Sequence, residues 1–283
     1  MRRVLTVLCV VSTLTAVAAA ADAPTSNAAA HGIIFCSDRA GAWALWKVNV
    51  DGSGLTQFTK PAEGEQDVDP VFNAHGSAIV FTSTRGGKTG VWRVDAGDGS
   101  KPQRLCDGDQ AEWSPDGMRI ALRRDGAVVI RILKDSQERT ITPPGWNTCS
   151  APAWSPDGAT IAFARLQDNA NSVYTVPAAG GVPTLVYGKQ GACEPHFSPD
   201  GKRILYETEA HLCTINPDGK RNRLLTTFGG VQRYGRYSPD GQKVVFCQAA
   251  APQGPWELYI IPAGGGEPVR LTEGGSDMYP DWR

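Results

Sequence analysis

The chain has no excess of charge of either sign. Its 28 Lys and Arg face 29 Asp and Glu, a formal net charge of −1. Nucleic-acid binders take much of their affinity from neutralised phosphates, so a strongly basic binder of that kind is excluded and no nucleic-acid partner is expected. Histidine is scarce, with only His31, His75, His196 and His211. His31 lies in an Ala-rich stretch and His75 in a turn, too few remaining for a three-histidine metal centre. Past residue 17 no apolar run approaches the ~20 residues a spanning helix needs, so no membrane span is expected. A Gly-x-Ser-x-Gly elbow and a phosphate-binding loop are absent. So are sialidase-type Asp boxes and the short CxxC and HxxxH spacings of metal sites. No catalytic residue, cofactor or metal ligand is therefore assigned. Turn formers, by contrast, are plentiful: 32 Gly and 20 Pro in a chain that is 41% hydrophobic. That composition is too apolar for disorder and suits a fold with many tight turns.

Arg2 and Arg3 precede an apolar run from Val4 to Val17, and small residues Ala18 to Ala21 follow. This order reads as a signal peptide over residues 1–21, cleaved near Ala20 or Ala21, with a leader over 22–32. The expectation is an exported protein, periplasmic or extracellular. Without Cys9 six cysteines remain, and an oxidising compartment permits disulfides without requiring them. Cys106, Cys149 and Cys193 all lie in links between repeats, and a Cys149–Cys193 bridge is one open pairing.

An internal period organises the rest. An aromatic followed by Ser-Pro-Asp-Gly occurs at 113–117, 154–158, 197–201 and 237–241. A degenerate copy stands at 72–76 and a truncated one at 280–283. The aromatic anchors Phe72, Trp113, Trp154, Phe197, Tyr237 and Trp282 are 41, 41, 43, 40 and 45 residues apart. Each repeat predicts four short strands: one carrying the anchor, a Pro-Asp-Gly turn, then β-branched and aromatic runs bounded by Gly-rich turns. Six such units describe an all-β, six-bladed β-propeller over residues 33–283, four antiparallel strands per blade. Residues 33–59 supply three strands of a blade and 277–282 the missing first one, so the C-terminal strand is expected to close the ring and remove its open edge.

The pattern D-x-x-P-x-aromatic-S-P-D-G, read from Asp67-Val-Asp-Pro70, Asp277-Met-Tyr-Pro280 and the four full copies, with a Leu271-Thr272 ending, resembles the propeller repeats of TolB. It also resembles those of the prolyl oligopeptidase and dipeptidyl peptidase group. The resemblance covers nearly all of 33–283. It implies a TolB-like propeller without the TolB N-terminal domain and without a peptidase domain. It further implies a protein that binds a partner at the envelope, as TolB associates with an outer-membrane lipoprotein.

The residues just before the anchors are Val71, Glu112, Ala153, His196, Arg236 and Asp281. They lie on the innermost strands and are expected to face the axial channel. Glu112, His196, Arg236 and Asp281 are the candidate partner-binding residues there. Asp67 and Asp277, near the channel mouth, and Trp146, which interrupts the repeat, join them. Each has a plain structural alternative: mutual pairing across a narrow channel, a local hydrogen bond, or packing as a lid. A calcium or other cation held by channel oxygens stays open. The variable loops 83–90, 165–172 and 248–256 and the blade links share the face opposite the Ser-Pro-Asp-Gly turns, and that link face is read as the working face. The leading functional reading is an exported, monomeric protein-binding module that engages another envelope or secreted protein through one face and the channel mouth. The alternative is a propeller enzyme, lyase or hydrolase, acting on a glycan or small ester with Glu112 and Asp281.

Overall fold

The computed structural model describes residues 32–188 and 191–283. The signal peptide and all of the leader but Gly32 lie outside the described residues. Six four-stranded antiparallel sheets form the six blades of a propeller. Blade one joins Asp277–Trp282 to Gly32–Ser37, Ala44–Asn49 and Thr56–Gln57. Blades two to six follow in chain order, beginning at Asp67–Phe72, Asp109–Trp113, Cys149–Trp154, Cys193–Phe197 and Val231–Tyr237. The closure expected from the sequence is present: Ile33 pairs with Trp282 and Ser37 with Asp277.

The repeated motif forms because its residues satisfy each other. Ser155 Oγ donates to Asp157 (2.5 Å) and accepts from the Thr160 N–H (2.9 Å), while Asp157 accepts from the Ala159 N–H. Gly158 takes φ +69°, a conformation open to glycine at little cost. The same set recurs at Ser114, Ser198 and Ser238. In the degenerate copy Asn73 does both jobs, accepting from the Ser77 and Ala78 N–H groups.

Second strands read as unbroken apolar runs because both faces of each sheet are covered. Ile33 and Phe35 pack toward blade six with Val245 and Leu258, whereas Ile34 and Cys36 pack toward blade two with Ile79 and Phe81. One apolar cluster fills each seam, and each anchor lies in the seam with the preceding blade: Phe72, Trp113, Trp154, Phe197, Tyr237 and Trp282. Each fully buried apolar side chain in these seams contributes about 1.5–3 kcal/mol. The Leu-Thr ending has a structural task. The hydroxyls of Thr59, Thr142, Thr226 and Thr272 accept from the N–H groups of Leu45, Val128, Leu212 and Leu258, tying the fourth strand to the third. The six cysteines among the described residues are free thiols, so Cys149 and Cys193 are not bridged.

Candidate functional site

The innermost strand of every blade carries a bulge. Its pairing slips by one residue between the fourth residue before the anchor and the residue just before it. The residue three before the anchor takes a left-handed conformation in all six blades: Asp69, Gln110, Ala151, Glu194, Tyr234 and Tyr279, with φ between 48° and 54°. For a residue with a Cβ this costs about 1–2 kcal/mol. The channel is thereby lined by two rings, the expected one beside the anchors and a second at the bulges. Sequence reasoning missed the second. Its signal was present: Pro70, Pro152, Pro195 and Pro280 stand inside strands, where proline marks an edge or a bulge.

First strands run from the link face to the turn face, so the bulge ring lies toward the links. There the channel narrows to a chamber of about 30 Å³, lined by Asp69, Gln110, Glu194, Tyr234 and Tyr279 among others. Toward the Ser-Pro-Asp-Gly turns it widens to a vestibule of about 310 Å³. Its walls include Pro115, Pro156, Pro199 and Pro239. The wider opening is thus on the turn face, opposite the variable loops.

Between chamber and vestibule stands a bar. Arg236 of blade six reaches to Glu112 of blade three, the opposite blade, with Nη1 2.9 Å from Oε2. His196 of blade five meets the same guanidinium nitrogen through Nδ1. A guanidinium can only donate, so Nδ1 is the acceptor and the imidazole proton sits on Nε2. Asp281 of blade one accepts from the Phe72 N–H at 2.8 Å. The structure therefore brings Glu112, His196, Arg236 and Asp281 together at the channel constriction and the vestibule floor.

Burial sets the protonation of this ring. It pushes the Glu112 and Asp281 carboxyls above the usual carboxylate range, an effect that Arg236 opposes. It holds His196 well below the usual histidine range, and the Arg236 charge acts the same way, so His196 is neutral at pH 7. In the chamber, burial and then the charges of Glu207 and Asp69 push Glu194 to about 8. Burial pushes Asp69 to about 6. Among the described residues no three His, Cys, Asp or Glu side chains gather as a donor set for a metal ion.

The other candidates lie elsewhere. Asp67 is gripped by Arg85 (2.6 and 3.1 Å) and Asp277 by Arg39 (2.5 and 2.6 Å); neither carboxylate lines the two channel cavities. Trp146 packs on blade four, edge-on to Tyr174 at 5.1 Å and beneath the Arg165 guanidinium at 3.7 Å.

A ring of six four-stranded blades closed by strand pairing defines a six-bladed β-propeller, and comparison with solved structures finds its fold to be TolB-like. TolB from Acinetobacter baumannii superposes with a TM-score of 0.73 at 17% identity, over 89% of this chain and 66% of that one. A putative TolB from Agrobacterium tumefaciens gives 0.69 at 18% identity, over 89% and 98%. An oligogalacturonate lyase in complex with manganese gives 0.56 at 17% identity, over 87% and 73%. At these identities the likeness is one of fold. Among curated proteins, an uncharacterized protein of Agrobacterium fabrum is 26% identical over 177 residues, 60% of this chain and 59% of the relative. The chain thus spans less than two thirds of that relative. No family model matches. Among the described residues no helix is long and apolar enough to cross a membrane.

Proposed function

We propose that this chain is an exported, monomeric protein-binding propeller that engages an envelope or secreted partner through the mouth of its channel, on the turn face. One observation carries the reading. The ionisable ring residues are committed to the fold: Arg236 to Glu112, His196 Nδ1 to Arg236, and Asp281 to the Phe72 N–H. They form the floor of a walled vestibule instead of an acid–base pair poised over a substrate. The likeness of fold to TolB supports the same direction, and the signal-peptide pattern supports export. Fold alone does not choose between binder and enzyme, as the lyase neighbour illustrates.

The test is capture by crosslinking from the organism's own envelope or secreted fraction, with Ala74→Trp beside wild type. Ala74 lines the vestibule and takes no part in the charged ring. A protein captured by wild type and lost by the variant is expected. Capture that ignores Ala74→Trp overturns the turn-face reading. Turnover of a glycan or ester that depends on Glu112 or Asp281 establishes the enzyme instead.

A further inference from the structure

Blade five gathers cations without a matching set of carboxylates. Its third strand, Leu212–Ile215, turns into its fourth, which opens at Arg223. Lys220, Arg221 and Arg223 fall within four residues there, and Lys202 and Arg203 lead into the second strand beside them. Strands alternate in direction from the first, so this end of the blade lies on the turn face, as the vestibule does.

Arg203 and Arg223 are held by neutral acceptors. Arg203 Nη1 donates to Asn216 Oδ1 at 2.8 Å, and Nη2 lies 2.7 Å from the Thr214 hydroxyl. Arg223 Nε reaches the same hydroxyl at 3.1 Å, and its Nη2 donates to the Ala263 carbonyl of blade six at 3.1 Å. These bonds brace the outer strands and leave both charges uncompensated. Burial, and then the charges of Arg223 and Arg221, hold the Arg203 guanidinium below its usual range. Arg221 takes part through its carbonyl alone among the described residues. Asp200 stands 3.6 Å from Lys202 and Asp218 3.8 Å from Lys220, so five cations face two carboxylates. The blade architecture does not require this excess: in blade three the residue matching Arg203 is Arg119, and Asp116 neutralises it at 2.9 Å.

The patch borders the vestibule. Pro199 and Tyr237 line that cavity, and the charges of Arg203 and Arg223 both act on Tyr237. The rest of the turn face repels a broad anionic surface, because Asp51, Asp98, Asp116, Asp157 and Asp240 are exposed on it. A flat anionic membrane would meet all of these carboxylates, whereas a narrow chain can cross blade five alone.

We propose that the turn end of blade five, with Lys220, Arg221 and Arg223 at its surface and Arg203 behind them, docks an acidic peptide segment of the partner, next to the part that enters the vestibule. The proposal rests on the binding reading above and adds the chemistry of the partner's flank. Guanidinium groups pair with carboxylates through charge-assisted hydrogen bonds, and such complementarity sets specificity and on-rate.

The probe is rhodamine-labelled hexaglutamate amide, set against a labelled Gly-Ser hexapeptide amide, in fluorescence anisotropy with the purified chain. At about 20 mM salt the acidic peptide is expected to bind about tenfold more tightly than the neutral one. The affinity is expected to fall about fivefold at roughly 150 mM salt, as screening weakens exposed charge pairs. Lys220→Ser/Arg221→Ser, at two exposed turn positions, is expected to weaken binding about fivefold and to leave the melting temperature within about 2 °C of wild type. Lys134→Ser, an exposed cation in the matching turn of blade three, is expected to bind as wild type does. Equal binding of the two peptides, or equal losses in the double variant and Lys134→Ser, overturns the proposal. Binding of phosphatidylglycerol vesicles or of a heparin hexasaccharide through Lys220 and Arg221, without binding of hexaglutamate, overturns the peptide assignment. Partner capture that is lost in Ala74→Trp but unchanged in Lys220→Ser/Arg221→Ser removes the acidic flank and leaves the binding reading standing.

Discussion

Asp277, on the last strand of the chain, is held by Arg39, 238 residues earlier, through two hydrogen bonds of 2.5 and 2.6 Å to one guanidinium nitrogen. The pair sits at the seam within blade one, where the strand Asp277–Trp282 pairs with Gly32–Ser37. The Asp277 side chain is 1% exposed and that of Arg39 13%. Removing one member of a buried pair leaves the other charge uncompensated, which costs about 3–5 kcal/mol. Asp277→Ala is therefore expected to lower the melting temperature by roughly 6–20 °C, at about 2–4 °C per kcal/mol for a chain of this size. Asp67→Ala, which breaks the equivalent Arg85 pair inside blade two, is expected to cost a similar amount. Differential scanning calorimetry of both variants checks this, and a shift below 2 °C in both contradicts a stabilising role.

The Leu-Thr ending yields a second expectation. Thr272 Oγ1 accepts from the buried Leu258 N–H at 3.0 Å. Thr272→Val keeps the shape and leaves that donor unmet, at a cost of about 1–3 kcal/mol. The urea midpoint is expected to fall while the slope of the transition stays as in wild type. Thr142→Val, which removes the corresponding bond to Val128, is expected to behave alike.

How much of this was legible in the sequence depends on what each feature requires. The six anchors and the closing strand were readable because Pro-Asp-Gly turns and aromatic wedges recur at a fixed period. The charged ring beside the anchors was readable for the same reason. The bulge ring was not, because one inserted residue changes which side chain meets the channel, and only the strand prolines hinted at it. Nor was the bar: Arg236 and Glu112 are 124 residues apart, and they meet only because blades six and three stand opposite. Asp67 and Asp277 were placed near the channel mouth on position alone. Their partners, Arg85 and Arg39, stand two residues past the buried serines Ser83 and Ser37, a pattern visible only once the hairpins are folded.

The chamber carboxylates predict a pH dependence with a defined sign. Burial and neighbouring charges raise Glu194 to about 8 from an ordinary 4.5. Between those values the folded chain holds a proton that the unfolded chain has released. That contribution is complete below about 4.5 and is lost as pH rises through about 8. His196 acts in the opposite sense. Its value in the fold lies well below 6.5, so its contribution is present above 6.5 and lost as pH falls. Glu194→Gln is therefore expected to gain stability relative to wild type as pH rises from 5 to 9. His196→Gln is expected to gain relative to wild type as pH falls from 7 to 5. Chemical denaturation across that range checks both, and parallel curves for wild type and Glu194→Gln contradict a buried, proton-holding Glu194.

Trp146 separates a packing role from a binding role. Its ring lies 3.7 Å from the Arg165 guanidinium carbon, 5.1 Å from the Tyr174 ring and 6.3 Å from that of Phe163. It therefore covers blade four on the link face, whereas the vestibule opens on the turn face. Its neighbour Asn147 is fixed against the backbone of Gly126: a Cβ there would stand 1.8 Å from the Asn147 carbonyl oxygen, at a φ of +70°. The segment is thus held from both sides. Loss of the aromatic and cation–π contacts in Trp146→Ala is expected to cost about 2 kcal/mol. Gly126→Ala is expected to displace the same segment and to increase amide exchange across residues 145–149. Partner capture through the vestibule is expected to survive Trp146→Ala, measured at a temperature where the variant is folded. If capture is lost there while circular dichroism matches wild type, Trp146 is a contact residue and the docking face extends to the links.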